Sequence, residues 1–335
     1  MAEQLNASKE IASFLGLVDT YKRWIHFKTK DDRCYEYYHP SEFGKCLRAQ
    51  QYKHYASLDL IKVEHKEIES KILRLFDKGH NMHKRWVDYF EELGILRGKW
   101  KCKNVLCRMF DDTGKIKKDI NTKKIIEENK SRVYGRNELK GVFKPEKCVC
   151  GCKDFYYLEI PVISEKLKIK GNADVVLDCS SFNVDMFKDI RLTFDPKFLP
   201  VNGDMVVADM KSIGQSAWDF QLKKRGAHKS YLIQLICYIH ILDCKYGILM
   251  YENKNTSELK FYKVDRNDEW WETIEWQSNM MQEMISNKQL PPPRPNEKSS
   301  YDCKSCEFAS LCHSSSIWKD SQLDKKRKKF YKCLL

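Results

Sequence analysis

The sequence lacks the features that would place it in or across a membrane. Its 335 residues contain no run of about 20 apolar residues, the length needed to span a bilayer. The first residues, MAEQLNASKEIASFLG, have neither the basic beginning nor the apolar stretch of a secretory signal. We therefore expect an intracellular, cytoplasmic protein with no membrane partner, located in the host cytoplasm if a virus encodes it.

Two further absences narrow the class of protein. No internal repeat is visible, and no G-x4-G-K-[ST] loop is present, so the chain carries no P-loop motor of the helicase type. Hydrophobic residues make up 42% and charged residues 32% of the chain, which excludes global disorder and favours a soluble globular protein. The length fits one large domain or about two ordinary ones.

Positive charge and cysteine are abundant. Lysine and arginine number 60 against 47 acidic residues, giving a net charge of +13. This excess favours nucleic acid as a partner, with an anionic membrane second and simple solubility as the alternative. Because disulfides are rare inside cells, the 14 cysteines are buried thiols, metal ligands or nucleophiles, and their spacing must decide between these roles.

The pattern along the chain predicts an α/β fold with a mixed central sheet flanked by helices. Apolar residues at helical spacing predict helices over 63–93, 229–242 and 267–286. Runs rich in β-branched and aromatic residues predict strands over 155–163, 166–178, 204–212, 246–253 and 258–264. Residues 99–153, which hold two cysteine groups and a basic, apolar-poor middle, predict an inserted module.

Two carboxylates and a lysine form the central chemical pattern. Asp209 and Lys211 lie two residues apart, so on a strand they point to one face, and Asp174 precedes the apolar run VVL. If these strands pair, the carboxylates approach, and magnesium or manganese relieves their repulsion. Such an ion activates bound water, while Lys211 orients that water or stabilises developing negative charge. A surface ion pair is the alternative.

Two residue pairs at helical spacing accompany this pattern. Gly79 and His83 lie four residues apart on one helix face, with His80 competing from another face and a core histidine as the alternative. Gln234 and Tyr238 are also four residues apart, on an otherwise apolar helix. A buried amide and phenol need partners, which a DNA strand, the nearby lysine or a core network would supply.

In chain order, the sequence reads G-x3-H, G-x2-D, D-x-K and Q-x3-Y, where the second motif runs from Gly171 to Asp174. This order resembles the RecB-like branch of the PD-(D/E)XK nuclease superfamily over about residues 40–315. The resemblance is sharpened by a cysteine ahead of these motifs and a C-x2-C-x5-C group after them, as in the iron–sulfur branch that includes the AddB nuclease domain and the CRISPR-associated exonucleases. Those cysteines are Cys46, Cys303, Cys306 and Cys312.

The resemblance implies a restriction-endonuclease-like core and two inorganic cofactors. A [4Fe–4S] cluster is expected on Cys46, Cys303, Cys306 and Cys312, as a structural clasp, with Cys34 as rival ligand and a zinc site on the three later cysteines as the alternative. Magnesium or manganese is expected on His83, Asp174, Asp209 and the carbonyl of Met210. The resemblance also assigns Lys211 as catalytic and Gln234 and Tyr238 as the supporting motif.

One departure from the family concerns the two aspartates, which the family joins by a short hairpin. Here 35 positions separate Asp174 from Asp209 (209 − 174), and we interpret 179–203 as an insertion. The rival carboxylates are Asp178, Asp185 and Asp189. The resulting organisation has five segments: 1–62 with the first cluster cysteine, 63–98 with G-x3-H, the insert 99–153, the nuclease core 154–290, and 291–335 with the later cluster cysteines and a basic tail.

The middle cysteines resemble a loose zinc ribbon, in which four thiolates hold one ion. Five candidates compete for four places, and unliganded thiols are the alternative. Lysines and arginines around them could contact a DNA backbone. The candidates are Cys102, Cys107, Cys148, Cys150 and Cys152.

These expectations together describe a divalent-metal-dependent DNA exonuclease that hydrolyses phosphodiester bonds. Its substrate would be single-stranded DNA or DNA ends, in recombination, replication, repair or CRISPR spacer processing. A separate helicase or recombination protein would be its partner, because the chain has no motor of its own. A catalytically silent nucleic-acid-binding module and a structure-specific endonuclease of the same fold are the alternatives.

Overall fold

The structure is a computed structural model that describes residues 16–23, 36–58, 60–61, 69–117, 131–180, 205–287, 289–292, 303 and 306–314. The chain divides into two compact units. The first unit takes in Met1–Tyr37, Cys46–Met82 and Glu283–Tyr331; the second takes in Tyr38–Lys45, His83–Gln282 and Lys332–Leu335. Within the described residues, no helix is long and apolar enough to cross a membrane.

The predicted helices are present where the structure describes them. The helix predicted over 63–93 covers Ser70–Glu92: Glu69 is not helical, and 62–68 lie outside the described residues. The other two helices agree with prediction to within one residue. The longer helices among the described residues are α1 (residues 16–23), α2 (Leu47–Ser57), α3 (Ser70–Glu92), α4 (Lys229–Ile241), α5 (Asp268–Ser286) and α6 (Ala309–Ser314). Three short helical segments follow one another before α4: Gln215–Ala217, Trp218–Leu222 and Lys223–Arg225.

Among the described residues, ten strands form a mixed central sheet and a separate hairpin, which confirms the predicted α/β fold with a mixed central sheet flanked by helices. Strands β8 and β9 are parallel and all other pairs are antiparallel. The central order is β10-β9-β8-β7-β1-β2, with β3 and β4 also paired to β1, while β5 and β6 form the hairpin. The strands are β1 (Leu96–Cys102), β2 (Val133–Tyr134), β3 (Val142–Phe143), β4 (Phe155–Leu158), β5 (Ile160–Ser164), β6 (Ile169–Ala173), β7 (Val175–Asp178), β8 (Met205–Ile213), β9 (Tyr246–Asn253) and β10 (Leu259–Asp265).

Two predicted strands are each broken at a carboxylate. The run 155–163 is interrupted at Glu159, between β4 and β5, and the run 166–178 is interrupted at Asp174, between β6 and β7. The cause is the pairing of β1, whose one edge pairs with β7 at Leu96 and Arg97 and then with β4 from Lys99 onward. The β5–β6 hairpin therefore leaves the central sheet at the point where β4 and β7 separate.

The predicted insert at 99–153 begins inside a strand of the central sheet. Strand β1 runs to Cys102 and alternates buried and half-buried residues along its length. The predicted strands do not include it, because only one face of β1 is buried and every second position therefore tolerates charge. The cysteine-rich segment is thus continuous with the sheet rather than separate from it.

The core of the second unit lies where α4 packs on the sheet. Strand β8 is buried from Val206 to Met210, and α4 is buried over most of its length. Gly247 of β9 makes room for this helix, because a Cβ atom there would lie 2.9 Å from the side chain of Leu235. The apolar character of α4 on all sides is explained by this central position.

In the first unit, α2 packs against the chain that follows α5 and against the cysteine-rich segment near α6. Arg48 is 1% exposed and donates to Tyr52 (3.3 Å) and to the carbonyl of Pro291 (3.1 Å). The Tyr52 ring stacks on Phe308 with 5.4 Å between ring centroids. These contacts bring the start of α2, where Cys46 lies, to the segment that holds the later cysteines.

Candidate active site and metal centres

Strand register brings the two predicted metal-binding aspartates together. Strands β7 and β8 pair antiparallel with Val175 opposite Ala208, so continuing the same register places Asp174 opposite Asp209. The carboxylate Oδ2 of Asp174 accepts a hydrogen bond of 2.7 Å from the backbone N–H of Met210. The pairing that the sequence left conditional is therefore present, despite the long connection between the two aspartates.

Asp209 and Lys211 form a buried ion pair on one face of β8. The Nζ atom of Lys211 lies 2.7 Å from one carboxylate oxygen of Asp209 and 2.9 Å from the other. Burial raises the pKa of Asp209 to about 7, against the opposing effect of Lys211. Burial acts to lower the pKa of Lys211, but the negative charges of Asp209 and Asp174 raise it by a larger amount. The pKa of Lys211 therefore lies above its usual value, and the lysine stays charged.

The supporting pair on α4 contacts the aspartate rather than the lysine. The Gln234 amide donates to Asp209 (3.1 Å) and to the hydroxyl of Tyr238 (2.9 Å). Gln234 and Tyr238 are buried, and burial raises the pKa of Tyr238 well above its usual value. The phenol therefore stays neutral, and the pair fixes the orientation of the Asp209 carboxylate. Gly171, in the G-x2-D motif, leaves space here, since a Cβ atom would lie 3.5 Å from the Tyr238 ring and 2.9 Å from Pro40.

His83 reaches the same site from α3. Its Nε2 atom lies 2.9 Å from the carbonyl oxygen of Met210, and its Nδ1 atom lies 3.8 Å from Oδ1 of Asp174. The helix is held near β9 by Glu252, which accepts hydrogen bonds from Arg85 (2.5 Å) and from the indole of Trp86 (2.8 Å). His83, Asp174 and Asp209, with the carbonyl of Met210, thus converge as predicted, although their roles stay predictions.

Glu159 is a site residue that the sequence reasoning missed. Strands β5 and β6 pair with Ile160 opposite Ala173, and the same register places Glu159 opposite Asp174. The residue is exposed at the surface, yet the surroundings of its carboxyl group desolvate it and, together with Asp174 and Asp209, raise its pKa to about 7. A polar residue inside a strand-like run, LEIPV, is the signal that would have found it.

These groups suit a hard divalent cation chemically. Oδ2 of Asp209 is buried and lies 2.7 Å from Nζ of Lys211, but no donor among the described residues is aligned to give it a hydrogen bond. Carboxylate and carbonyl oxygens are ligands that magnesium and manganese prefer. His83 would have to exchange its contact with the Met210 carbonyl for the ion, because the side-chain ligand atoms of His83, Asp174 and Asp209 are not gathered within 4.8 Å of one another.

Four of the five middle cysteines form a group that could hold one metal ion. Their Sγ atoms all lie within 4.8 Å of one another, with 3.2 Å between Cys107 and Cys148 and 3.7 Å between Cys102 and Cys150. A tetrahedral zinc ion with Zn–S bonds of about 2.3 Å separates its sulfurs by about 3.8 Å, so this spacing fits one ion. Cys152 is the spare thiol, because its sulfur donates to the carbonyl of Asp154.

Burial and hydrogen bonding shift the pKa values of these thiols in different directions. Burial raises the pKa of Cys107 to about 11, so this thiol stays protonated without a cation beside it. Burial also acts to raise the pKa of Cys148, but hydrogen bonds from Tyr134 and Cys107 outweigh it and lower the pKa to about 7. Metal ligation requires thiolates, and Tyr134 supports one of them with a contact of 3.3 Å to the Cys148 sulfur.

The four terminal cysteines predicted to hold the cluster all lie in the first unit. Burial raises the pKa of Cys312 to about 11; Arg48 opposes this, and Cys46, Cys306 and Cys303 add to it. The four thiols are therefore electrostatic neighbours. Thiolates are the usual ligands of a four-iron cluster. Because such a cluster is larger than a single ion, its four sulfur ligands lie further apart than the sulfurs of the middle group.

The structure describes two of the residues that the sequence offered as alternative site residues, Asp178 and His80. The carboxylate of Asp178 accepts hydrogen bonds from Arg97 (3.1 Å) and from the hydroxyl of Ser180 (2.6 Å), so it is already bonded to residues outside the candidate site. His80 is exposed on α3. The other rivals and the basic tail lie outside the described residues: Cys34, Asp185, Asp189 and 325–329.

Comparison with known proteins gives no family assignment. No protein-family model matches the chain, and no curated protein matches it. Among solved structures, the chain is similar to one described as "Crystal structure of SSO0001", with 15% sequence identity and a TM-score of 0.39. That match covers 90% of this chain and 96% of the other. At such a TM-score the likeness carries no argument about fold or function.

Proposed function

We propose that this protein is a divalent-metal-dependent nuclease of the PD-(D/E)XK type that hydrolyses phosphodiester bonds in DNA. The observation that carries the proposal is the buried Asp209–Lys211 pair, placed in register with Asp174 and joined by His83. A buried ion pair contributes little to stability, so its placement beside two further carboxylates favours a chemical role. DNA is the proposed partner, in keeping with the net charge of +13.

Each residue has a distinct task in this proposal. Magnesium or manganese, held by His83, Asp174, Asp209 and the Met210 carbonyl, would neutralise phosphate charge and activate water. Lys211 is held protonated, so it donates to the developing negative charge and does not act as a base. The Gln234 amide keeps the Asp209 carboxylate in one orientation through its 3.1 Å hydrogen bond.

The decisive experiment uses anaerobically purified protein, manganese and end-labelled DNA, single- and double-stranded. Lys211→Ala should abolish cleavage, whereas Lys263→Ala, which removes an exposed lysine from β10, should leave it unchanged. Cleavage of linear strands with a circular single strand left intact would identify an exonuclease, and cleavage of the circle an endonuclease. DNA binding without cleavage by the unaltered protein would favour a silent binding module and refute the enzymatic proposal.

The two cysteine groups are proposed to hold different metals. We assign zinc to Cys102, Cys107, Cys148 and Cys150, because four clustered thiols suit one tetrahedral ion, and a [4Fe–4S] cluster to Cys46, Cys303, Cys306 and Cys312. In each case the metal would join segments distant in sequence and so stabilise the fold.

Metal content of three serine variants separates the two assignments. Cys107→Ser should lose zinc and keep iron, while Cys306→Ser should lose iron and keep zinc. Cys152→Ser is the matched control and should keep both zinc and iron, since the Cys152 thiol donates a hydrogen bond to the carbonyl of Asp154 and is not part of the four-sulfur group. Zinc retained in Cys107→Ser, or iron retained in Cys306→Ser, would refute the corresponding site.

A further inference from the structure

The ammonium group of Lys211 lies between a carboxylate and an aromatic ring. Its Nζ atom is 2.7 Å and 2.9 Å from the two carboxylate oxygens of Asp209, and it lies 4.9 Å from the centre of the Tyr231 ring. A cation within about 6 Å of a ring centre is attracted by the electrons of the ring face, and the attraction is stronger where water is excluded. The Lys211 side chain is only 19% exposed, so the ring is a second partner for its charge.

Tyr231 is the third residue of α4, and its ring has aromatic neighbours on two elements. The ring centroid lies 5.3 Å from that of His228 and 6.2 Å from that of Tyr251. The backbone N–H of His228 donates to the Tyr251 hydroxyl (3.0 Å), which attaches the beginning of α4 to β9. Tyr251 lies opposite Lys211 in the parallel pairing of β9 with β8. The residues around the ring are therefore tied to the strand that carries the lysine.

Asp209 has two tasks in the proposed function, and the two compete. Both of its oxygens already contact the Lys211 ammonium, so an oxygen that ligates a divalent cation is lost to the lysine. Magnesium and manganese choose oxygen ligands, and the carbon face of an aromatic ring offers them none. The Tyr231 ring therefore stays available to the ammonium group when part of the carboxylate does not.

The other surroundings of the lysine leave this role to the ring. Within the described part of the chain, the polar and ring contacts of the Lys211 ammonium are with Asp209 and Tyr231. Asp174 acts on it through its charge, from a greater distance. Once the ion pair with Asp209 is weakened, the Tyr231 ring is the contact that keeps the ammonium group beside the carboxylates.

We propose that Tyr231 is a positioning residue, whose ring keeps the Lys211 ammonium at the active site while Asp209 ligates the divalent cation. The proposal rests on the proposed function, since it assigns a partner to that site's lysine. Lys211 then donates a hydrogen bond to the negative charge that develops on the phosphate. The face of the ring carries the role and the phenol hydroxyl does not, so phenylalanine should replace tyrosine here and leucine should not.

Cleavage by the full-length, metal-loaded protein tests this role, with saturating magnesium and the end-labelled DNA that the unaltered protein cuts best. Tyr231→Leu should lower kcat about 2- to 30-fold, as expected for the loss of one partly desolvated cation–ring contact, and should leave KM unchanged. The loss falls on kcat because the lysine acts on charge that is present only in the transition state. Tyr231→Phe should restore the rate.

Tyr246 provides the matched control, because it forms the same contact away from the site. The Nζ atom of Lys263 also lies 4.9 Å from the centre of the Tyr246 ring, and that lysine side chain is 61% exposed. Tyr246 lies opposite Val206 at the beginning of β9, three residues before the level of Asp209 (209 − 206). Tyr246→Leu should therefore leave kcat and KM unchanged in samples matched for folded protein by circular dichroism.

A spectroscopic measurement tests the contact itself and needs no cleavage. In the magnesium-loaded protein with lysine labelled by ¹³C at the ε carbon, Lys211→Ala and Lys263→Ala assign the two signals by removing them. Protons over the face of an aromatic ring are shifted upfield by the ring current. Tyr231→Leu should therefore move the Lys211 ε-proton signal downfield, whereas Tyr231→Phe should leave it in place. Tyr246→Leu should move the Lys263 signal alone.

The two measurements separate the role of Tyr231 from the proposed function. If the unaltered protein cuts DNA and Tyr231→Leu cuts it equally fast, the positioning role is refuted and the nuclease proposal stands. A rate for Tyr231→Phe as low as that for Tyr231→Leu would also refute it, because the hydroxyl and not the ring would then matter. A Lys211 signal that Tyr231→Leu does not move would refute the contact. If that signal moves but nothing is cut, the nuclease proposal fails and the pairing of Tyr231 with Lys211 stands.

Discussion

Gly98 offers a sharp test of how the sheet positions the active site. A Cβ atom at this position would lie 2.2 Å from Cε2 and 2.8 Å from Cδ2 of Tyr157. Ordinary carbon contacts are about 3.5–4.0 Å, so the ring would have to move by roughly 1.5 Å. We therefore predict that Gly98→Ala displaces the Tyr157 side chain.

The displacement has two costs. The Tyr157 ring packs edge-on against Trp100, with 5.4 Å between centroids, and Trp100 is fully buried, so overpacking should cost about 1–3 kcal/mol. The Tyr157 hydroxyl also donates to the carbonyl of Asp174 (2.9 Å), a bond worth about 0.5–1.5 kcal/mol that the shift would break. The expected loss in the free energy of unfolding is about 2–4 kcal/mol. Manganese affinity should fall with it, because Asp174 loses its support.

Chemical unfolding followed by circular dichroism, on identically metal-loaded samples, measures this loss. Gly214→Ala is the matched control, because nothing lies within 4 Å of a Cβ atom there and its φ is −79°. It should change stability by less than about 0.5 kcal/mol. In a Tyr157→Leu background, adding Gly98→Ala should cost little, since the clashing ring is gone. Equal costs of Gly98→Ala in both backgrounds would refute the reasoning.

Three further predictions concern other contacts of the site and core. Gln234→Leu removes the amide bonded to Asp209 and should weaken manganese binding about 10- to 100-fold by paramagnetic resonance titration, while unchanged affinity would contradict the positioning role. Glu159→Gln should also weaken manganese binding, whereas tighter binding would show that this carboxylate only repels its neighbours. His240 is buried and stacks on Trp271 at 4.8 Å, and burial lowers its pKa below the unfolded value of about 6.5. The unfolded chain then binds the proton more readily, so stability should fall as pH drops below about 6.5. His240→Phe should flatten this loss in melting temperatures measured from pH 5 to 8, and an unchanged pH profile would contradict it.

Much of the secondary structure could be predicted from the sequence alone, because the apolar and β-branched residues follow clear local patterns. The apolar character of α4 and the spacing in α5 predicted both helices almost to the residue, and β9 matched its predicted range. The strand breaks at Glu159 and Asp174 were not predictable in the same way. Both lie in runs of high strand propensity, and the breaks come from the competition of β4 and β7 for one edge of β1, which is a non-local pairing.

In the candidate site, too, some residues could be found from the sequence, whereas their contacts required the tertiary structure. Spacing along the chain drew attention to His83, Asp174, Asp209 and Lys211, and the resemblance of their motif order to a nuclease family implied the roles expected of them. Which partner satisfies Gln234 depended on the packing of α4 over β8, and that partner is Asp209. Glu159 entered the site only through the β5–β6 register.

Cysteine spacing by itself determined that the middle group is a metal-site candidate, but left five thiols for four places. The tertiary structure excluded Cys152, because bringing β1 beside the segment before β4 gathers four sulfurs and turns the fifth toward a carbonyl. The net charge of +13 likewise indicated a polyanionic partner without a location. Only the sheet register, which sets the residues that lie opposite one another on paired strands, placed Asp174 beside Asp209 and so located the candidate site.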